Sequence, residues 1–336
     1  MLREYIGLKA IYSKNRLRGV DMKTINIKSA NHKKTKYLRE LFENRYLYLL
    51  MLPALIFYAV FAYAPMYGLL MAFKDYNATL GVWGSEWVGL KHFKNLMGDP
   101  YFLYVLRNTL VMSFSRIIIC FPVPIALAIL FNEMRGTKLK RTLQTVYTFP
   151  HFLSWVVLSG IVISALDFSG PLNNLLNILG FERRGFLGNE KMFKPIIYLT
   201  QIWKEAGWSS ITYLAAIVGI DMQYYEAADL DGASRFQKIW HITLPCIRST
   251  ILVLLILEIG TLMTGASFDQ VFNLSSPAVQ KAGDILDTYI YRITFQTDGD
   301  FSFSTAVGFF MSVVNFSLVI AANWFSKKLD GVGILD

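Results

Sequence analysis

Apolar runs long enough to cross a bilayer recur along this chain and restrict what it can fold into. About 20 apolar residues span the ~30 Å hydrocarbon core as a helix, and lipid leaves no water to satisfy a spanning backbone that is not internally bonded. Runs of this kind cover about residues 47–73, 103–131, 143–166, 193–220, 250–271 and 303–325. Charged residues make up 17% of the 336, well below the roughly 25% of a soluble domain. The expected fold class is therefore an all-α membrane protein with six transmembrane helices. The fourth run holds "IWKEAGW", which puts Lys204 and Glu205 inside it. The part after Gly207 alone is too short to cross, so the charges are expected within the span.

Charge distribution orients the spans. Residues 1–45 carry 12 Lys and Arg against 4 Asp and Glu, which accounts for most of the net charge of +9. A basic tail abutting a first span reads as cytoplasmic retention beside anionic lipid, not as nucleic-acid binding. The connector "NEMRGTKLKR" has four bases and one acid, Lys327 and Lys328 follow the last span, and residues 74–101 balance three against three. Positive segments stay inside, so both termini are expected in the cytoplasm. The domain division follows: a basic tail over 1–45, a six-helix membrane domain over 46–326 with a cytoplasmic loop over 221–248, and a short tail over 327–336. The N-terminal tail alternates bases with apolar residues and is compatible with an interfacial helix or with disorder. The basic start lacks the continuous apolar core of a cleavable signal peptide.

Little in the chain suggests catalysis. Cys120 and Cys246 form no motif, and the four histidines are scattered, so no metal site is expected. Neither H-E-x-x-H nor G-x-S-x-G occurs, and G-x-x-x-x-G-K-[ST] is absent, so ATP binding of the Walker type is not expected here. Prolines within or near span ends (Pro53, Pro65, Pro122, Pro124, Pro150 and Pro195) fit a bundle around a cavity as well as ordinary kinks.

The stretch "YYEAADLDGASRFQKIWHITLP", residues 224–245, interrupts the apolar pattern. Asp221 can cap a first short helix, Gly232 offers the freedom of a sharp turn, and Ser234 with Gln237 has the spacing of a capping box. Pro245 closes the second helix. Ala227 and Ala228 keep one side of the first slim enough to enter a partner's groove; a solvated connector would share these features.

Glu226-Ala227-Ala228, three residues, Gly232, nine residues, then Ile242-x-Leu244-Pro245 resembles the EAA loop of binding-protein-dependent ABC importers. "WVGLKHFKNL", "RNTLVMSF", "IWKEAGWSSITYLAAIVGID" and "DTYIYR" are similar to carbohydrate-uptake permeases, in particular their oligosaccharide and polysaccharide branch, and the likeness runs from about 46 to 325. The resemblance implies a type I permease subunit in a bacterial cytoplasmic membrane, not itself an enzyme. It further implies a second homologous permease, two copies of an ABC ATPase that bind ATP and magnesium, an extracytoplasmic solute-binding protein and an oligosaccharide substrate. The loop would be the coupling helix, with Glu226 and Gly232 in the family's roles. Met222 stands where many relatives have proline, a minor departure.

Candidates along a translocation path follow from the cost of intramembrane charge, roughly 2.5–3.5 kcal/mol at a helix centre. Glu258 lies about eight residues into the fifth run, and either lines the path or bonds a neighbouring helix. Lys204 and Glu205 are adjacent, so at most one faces substrate. Trp155, Trp203, Trp208 and Tyr213 could stack on sugar rings or sit at the bilayer interface. Asn315 and Asn108 suit helix-to-helix hydrogen bonds. Two other functions compete: the same machine carrying an amino acid or phosphate, and a membrane-embedded glycan enzyme with Glu258 or Asp167 as base.

Overall fold

A computed structural model of the chain describes residues 44–264, 267–297, 299–331 and 333. Most of the basic N-terminal tail lies outside the described residues, as does the end of the C-terminal one. The chain divides into two units, 1–67 and 68–336. In the first, helix α1 (Arg45–Tyr58) passes into a widened π-turn at Ala59–Tyr63. It buries no side chain, and Leu50 and Phe61 are among its bare apolar residues, as suits a helix solvated by lipid.

The second unit opens with the end of a 3₁₀ stretch, Ala64–Phe73, followed by a two-residue antiparallel ladder, Lys74–Asp75 on Glu86–Trp87. Helix α2 (Lys91–Gly98) follows, then α3 (Pro100–Cys120), whose Asp99 cap accepts from Tyr101 N. Helix α4 (Pro122–Glu133) succeeds it, with Pro122 at its first turn, where a missing N–H costs nothing. Helix α5 (Thr137–Thr148) is followed by a 3₁₀ turn at Phe149–Phe152, and α6 (Trp155–Leu166) by α7 (Pro171–Ile178). The third apolar run, expected unbroken over 143–166, is thus divided. Pro150 cannot carry helical bonding through the turn, and Ser154 restarts it by accepting from Val157 N at 3.3 Å.

Helix α8 (Glu190–Val218) is a single element of 29 residues that contains Lys204 and Glu205; it is not among the stretches apolar enough to cross a membrane. The loop helices α9 (Met222–Leu230) and α10 (Arg235–Lys238) come next. Then follow α11 (Arg248–Ile259), α12 (Phe268–Leu274), α13 (Leu286–Phe295) and α14 (Phe301–Asp330). The fifth run, expected over 250–271, ends as a helix at Ile259, with a 3₁₀ turn at Leu262–Thr264 beyond it.

Among the described residues, four helical stretches are long and apolar enough to cross a membrane: Arg45–Phe73, Pro100–Glu133, Trp155–Ile178 and Phe301–Lys328. Arg235–Cys246 and Arg248–Ile259, bent by 61°, make a fifth if they act as one span.

Packing centres on α8, which lies along α4 and α5 and touches α3. Phe193, Ile196 and Ile197 join Trp155, Leu158 and Met112 in one core cluster, while Tyr213 and Ile217 meet Ala128 and Ile247 in another. A third holds Phe102, Val105, Tyr289 and Val307 where α3, α13 and α14 converge. At Gly207 the helix presses on α5 so closely that an added Cβ would overlap the Tyr147 carbonyl. Gly207→Val is expected to cost about 3 kcal/mol, the upper range of overpacking. A thermal melt of the detergent-solubilised chain would read this, and an unchanged midpoint would count against the tight α8–α5 seam.

Outside the spans, burial pushes the Asp287 carboxyl up from 3.8 to about 6. Because the folded chain holds this proton more tightly than the unfolded one, stability is greatest at low pH and falls as pH rises from about 4 through 6. Asp287→Asn should therefore stabilise the chain at pH 8 by about 3 kcal/mol and leave it nearly unchanged at pH 4, as compared by melts at the two values.

Candidate functional site

Two features carry chemistry: an exposed loop and a cavity. The loop is built from its caps. Asp221 accepts from Gln223 N at 3.0 Å and starts α9. At its end the chain closes in a Schellman arrangement, with Ala233 N on Ala228 O at 2.9 Å and Gly232 N on Asp229 O at 3.1 Å. That geometry puts Gly232 at φ 75°, a region side-chain-bearing residues avoid. Ser234 and Gln237 form the capping box that opens α10. Lys238 ties back to Asp229 at 2.5 Å, and Tyr225 Oη meets Thr243 Oγ1 at 2.9 Å.

The outer surface of this loop is unburied. Glu226, Ala227, Gly232 and Pro245 are exposed, and Leu230 is 90% exposed, with Met222, Tyr224 and Phe236 also bare. Ala228, Ile242 and Leu244 are half-buried on its inner side, and Leu244 packs against the cluster around Ile247. Helix α10 runs through a π-turn at Ile239–Thr243 to Cys246 before the 61° bend into α11.

The cavity, about 510 Å³, lies between α3, α8 and α11. Its polar wall includes Arg116, Gln201, Glu205 and Glu258, with Phe121, Trp208 and Tyr213 as its aromatic members. Arg116 Nε donates to Glu258 Oε1 at 2.9 Å and its Nη2 reaches the same oxygen, so Glu258 both lines this cavity and bonds a neighbouring helix. Glu205 Oε2 meets His151 Nδ1 at 2.7 Å, and the His151 ring lies flat on Trp208 with centroids 4.5 Å apart. The Gln201 Oε1 atom is buried and has no hydrogen-bond partner among the described residues.

The remaining path candidates sit elsewhere. Lys204 is buried, donating to the carbonyls of His151 and Leu153 at 2.7 Å each, and its ammonium lies 5.6 Å from the centre of the Trp155 ring. It braces the break before α6 and does not line the cavity. Trp155 belongs to the core, and Trp203 is 43% exposed outside the cavity lining. Asn315 Oδ1 accepts from Met263 N at 2.9 Å, while Asn108 donates to Asp284 O at 2.6 Å; each ties its helix to the backbone of a connecting segment. Asp167 accepts from Ser169 at the end of α6 and does not line the cavity with Glu258. Arg116 was legible by the rule that singled out Glu258, a charge inside an apolar run. Gln201 had no such signal.

Residues 106–331 match the family model described as "Binding-protein-dependent transport system inner membrane component". The chain is 47% identical over 304 residues to the polygalacturonan/rhamnogalacturonan transport system permease protein YteP of Bacillus subtilis (strain 168), covering 90% of this chain and 94% of that one. It is 44% identical over 300 residues to Protein LplB of the same organism, covering 89% and 93%. Among solved structures it resembles a chain of a bacterial alginate ABC transporter, crystallised in complex with alginate pentasaccharide-bound periplasmic protein, with a TM-score of 0.81 and 37% identity over 88% of this chain and 99% of that one. With its family model spanning the helices that build both loop and cavity, the chain belongs to the binding-protein-dependent transport system inner membrane components and is a membrane permease subunit of an ABC importer.

Proposed function

We propose that this chain forms half of the translocation pathway for an oligosaccharide delivered by an extracytoplasmic binding protein. It takes its driving force from a separate ATPase through the loop at 221–248. The observation that carries the coupling role is the shape of that loop. Two short helices are each capped by their own side chains and tied by Lys238–Asp229, yet their outer apolar face is left bare. A rigid, self-satisfied projection with unburied Leu230 and Tyr224 suits a groove on another polypeptide. Saccharide transport is supported by the names of the similar permeases and by a cavity that mixes aromatic and polar walls.

In this reading α8 supplies the fourth of six spans, buffered at Lys204 and Glu205 by the bonds described above, and both termini face the cytoplasm of a bacterial cell. A second, homologous permease completes the pathway, and two ATPase subunits bind ATP and magnesium. ATP-driven closure of the ATPases would swing the loop and open the cavity outward, and product release would return it.

Mild crosslinking in native membranes, followed by pull-down of the tagged chain and mass spectrometry, tests the assembly. An ATPase, a second permease and a binding protein are the expected catch; an intact chain without an ATPase would overturn the coupling role. Melting the captured binding protein with oligosaccharides, amino acids or phosphate then tests the substrate class, since the solute that raises its midpoint is the one delivered.

A further inference from the structure

An ammonium without a counter-charge stands near the start of α8, and what it implies rests on the cavity being a saccharide path. Lys194 is half-buried there. Its Nζ donates to a neutral oxygen, Asn108 Oδ1, at 2.6 Å. Among the described residues no carboxylate reaches it, and the one charge that bears on it is a like charge, Arg107. Arg107 precedes Asn108 on α3, is exposed, and makes no hydrogen bond or ion pair among the described residues. Asn108 is itself fixed, its Nδ2 donating to Ala282 O at 3.1 Å and to Asp284 O at 2.6 Å. One turn earlier, Tyr104 Oη donates to Lys281 O at 2.8 Å. The amide therefore holds the ammonium in place without neutralising it. Removing charge from water is costly unless an opposite charge compensates, and an ionisable group in a membrane helix is by default a functional one.

Lys194 is also in line with the cavity. At about 100° per residue it shares one face of α8, to within about 40°, with Gln201, Glu205, Trp208 and Thr212 of the lining. Gln201 lies about 10 Å further along the axis. The loop at 221–248 follows the other end of α8, so in the reading above Lys194 marks the extracytoplasmic mouth and the cavity lies deeper. Ammonium and guanidinium groups donate and cannot accept, and their bonds to a carboxylate are about twice as strong as neutral ones. Tyr104, 39% exposed, adds an aromatic ring on which a sugar can lie. We propose that Lys194 and Arg107 form an anion subsite at the mouth of the path, which takes the ring carboxylate of a uronate unit as the saccharide enters. The face shared with the cavity favours a sugar carboxylate over one from a partner protein.

Cys120 lines the cavity below and serves as the reporter. The assembled importer, purified with its partner chains and free of binding protein, would be alkylated with a small maleimide. Peptide mass spectrometry would then measure protection of Cys120 by galacto-, gluco- and mannuronate trimers and by their methyl esters, which keep ring and linkage but lose the charge. At least one acid is expected to protect at a concentration roughly tenfold below its ester. Lys194→Gln, which still donates to Asn108, and Arg107→Gln should each bring that ratio toward one, while Lys194→Arg should keep it. Ester protection that persists in these variants shows the path still formed. Equal protection by acid and ester in the unaltered chain would overturn the anion subsite and leave the saccharide path intact. A preference unchanged in both glutamine variants would remove Lys194 and Arg107 from the role. If those variants instead lost capture of the binding protein or of the second permease, with the sugar ratio unmoved, the carboxylate would be a protein's and the proposal would fall. Protection by neither series would overturn the saccharide path itself, and the subsite with it.

Discussion

Gly232→Pro and Glu226→Lys are each expected to abolish ATP-driven uptake, to about 1% or less of the unaltered rate, while the membrane body stays folded. Proline fixes φ near −65°, whereas Gly232 closes α9 at φ 75°. The ring also removes the N–H that bonds Asp229 O. With that turn lost, α9 and α10 cannot keep their angle, although neither buries an α-helical side chain in the core. Glu226 is exposed and makes no hydrogen bond or ion pair among the described residues, so its reversal leaves the fold untouched and acts only on a docked partner. Gly232→Ala, strained by about 1–2 kcal/mol in the left-handed region, should fall between. Uptake of labelled substrate into proteoliposomes, read beside melting of the same preparations, separates coupling from folding. Normal uptake by both variants would remove the loop from the drive mechanism.

Lys204→Met should act the opposite way, through stability. Methionine fills much of the same volume but leaves the His151 and Leu153 carbonyls without their donor and removes a cation from beside Glu205. Each orphaned buried acceptor costs about 1–3 kcal/mol, and breaking a buried pair costs about 3–5 kcal/mol. A loss of about 3–5 kcal/mol would melt the solubilised chain well below the parent. Had Lys204 served the path, the substitution would change substrate affinity with the melt unmoved, and a ligand-binding measurement on the assembled importer distinguishes the two.

Glu258 and Lys204 illustrate how far sequence reasoning reaches. Both were conspicuous for the same reason, a charge in an apolar run, and one lines the cavity while the other is bonded into the protein. Nothing along the chain separates them, because the difference lies in which helix stands opposite: α3 brings Arg116 to Glu258, and the broken turn before α6 brings two carbonyls to Lys204. Gln201 is a plain amide in sequence, and only the fold makes it line the cavity with its Oε1 buried.

The loop behaves differently. Asp221, Gly232, Ser234 and Gln237 act on neighbours within three residues, so local spacing was enough to determine two helices and their turn, and the caps formed as the pattern required. Apolar run length likewise determined a helical membrane chain, since lipid tolerates few alternatives. It did not decide where helices break. Proline at 150 and a serine cap at 154 divided one run, and the fifth stopped at Ile259, because apolarity measures affinity for lipid and says little about backbone continuity. Cavity, pairing and bracing were decided by tertiary structure alone: each joins residues 50 to 140 or more positions apart, and packing, not spacing, brings such groups within hydrogen-bonding distance.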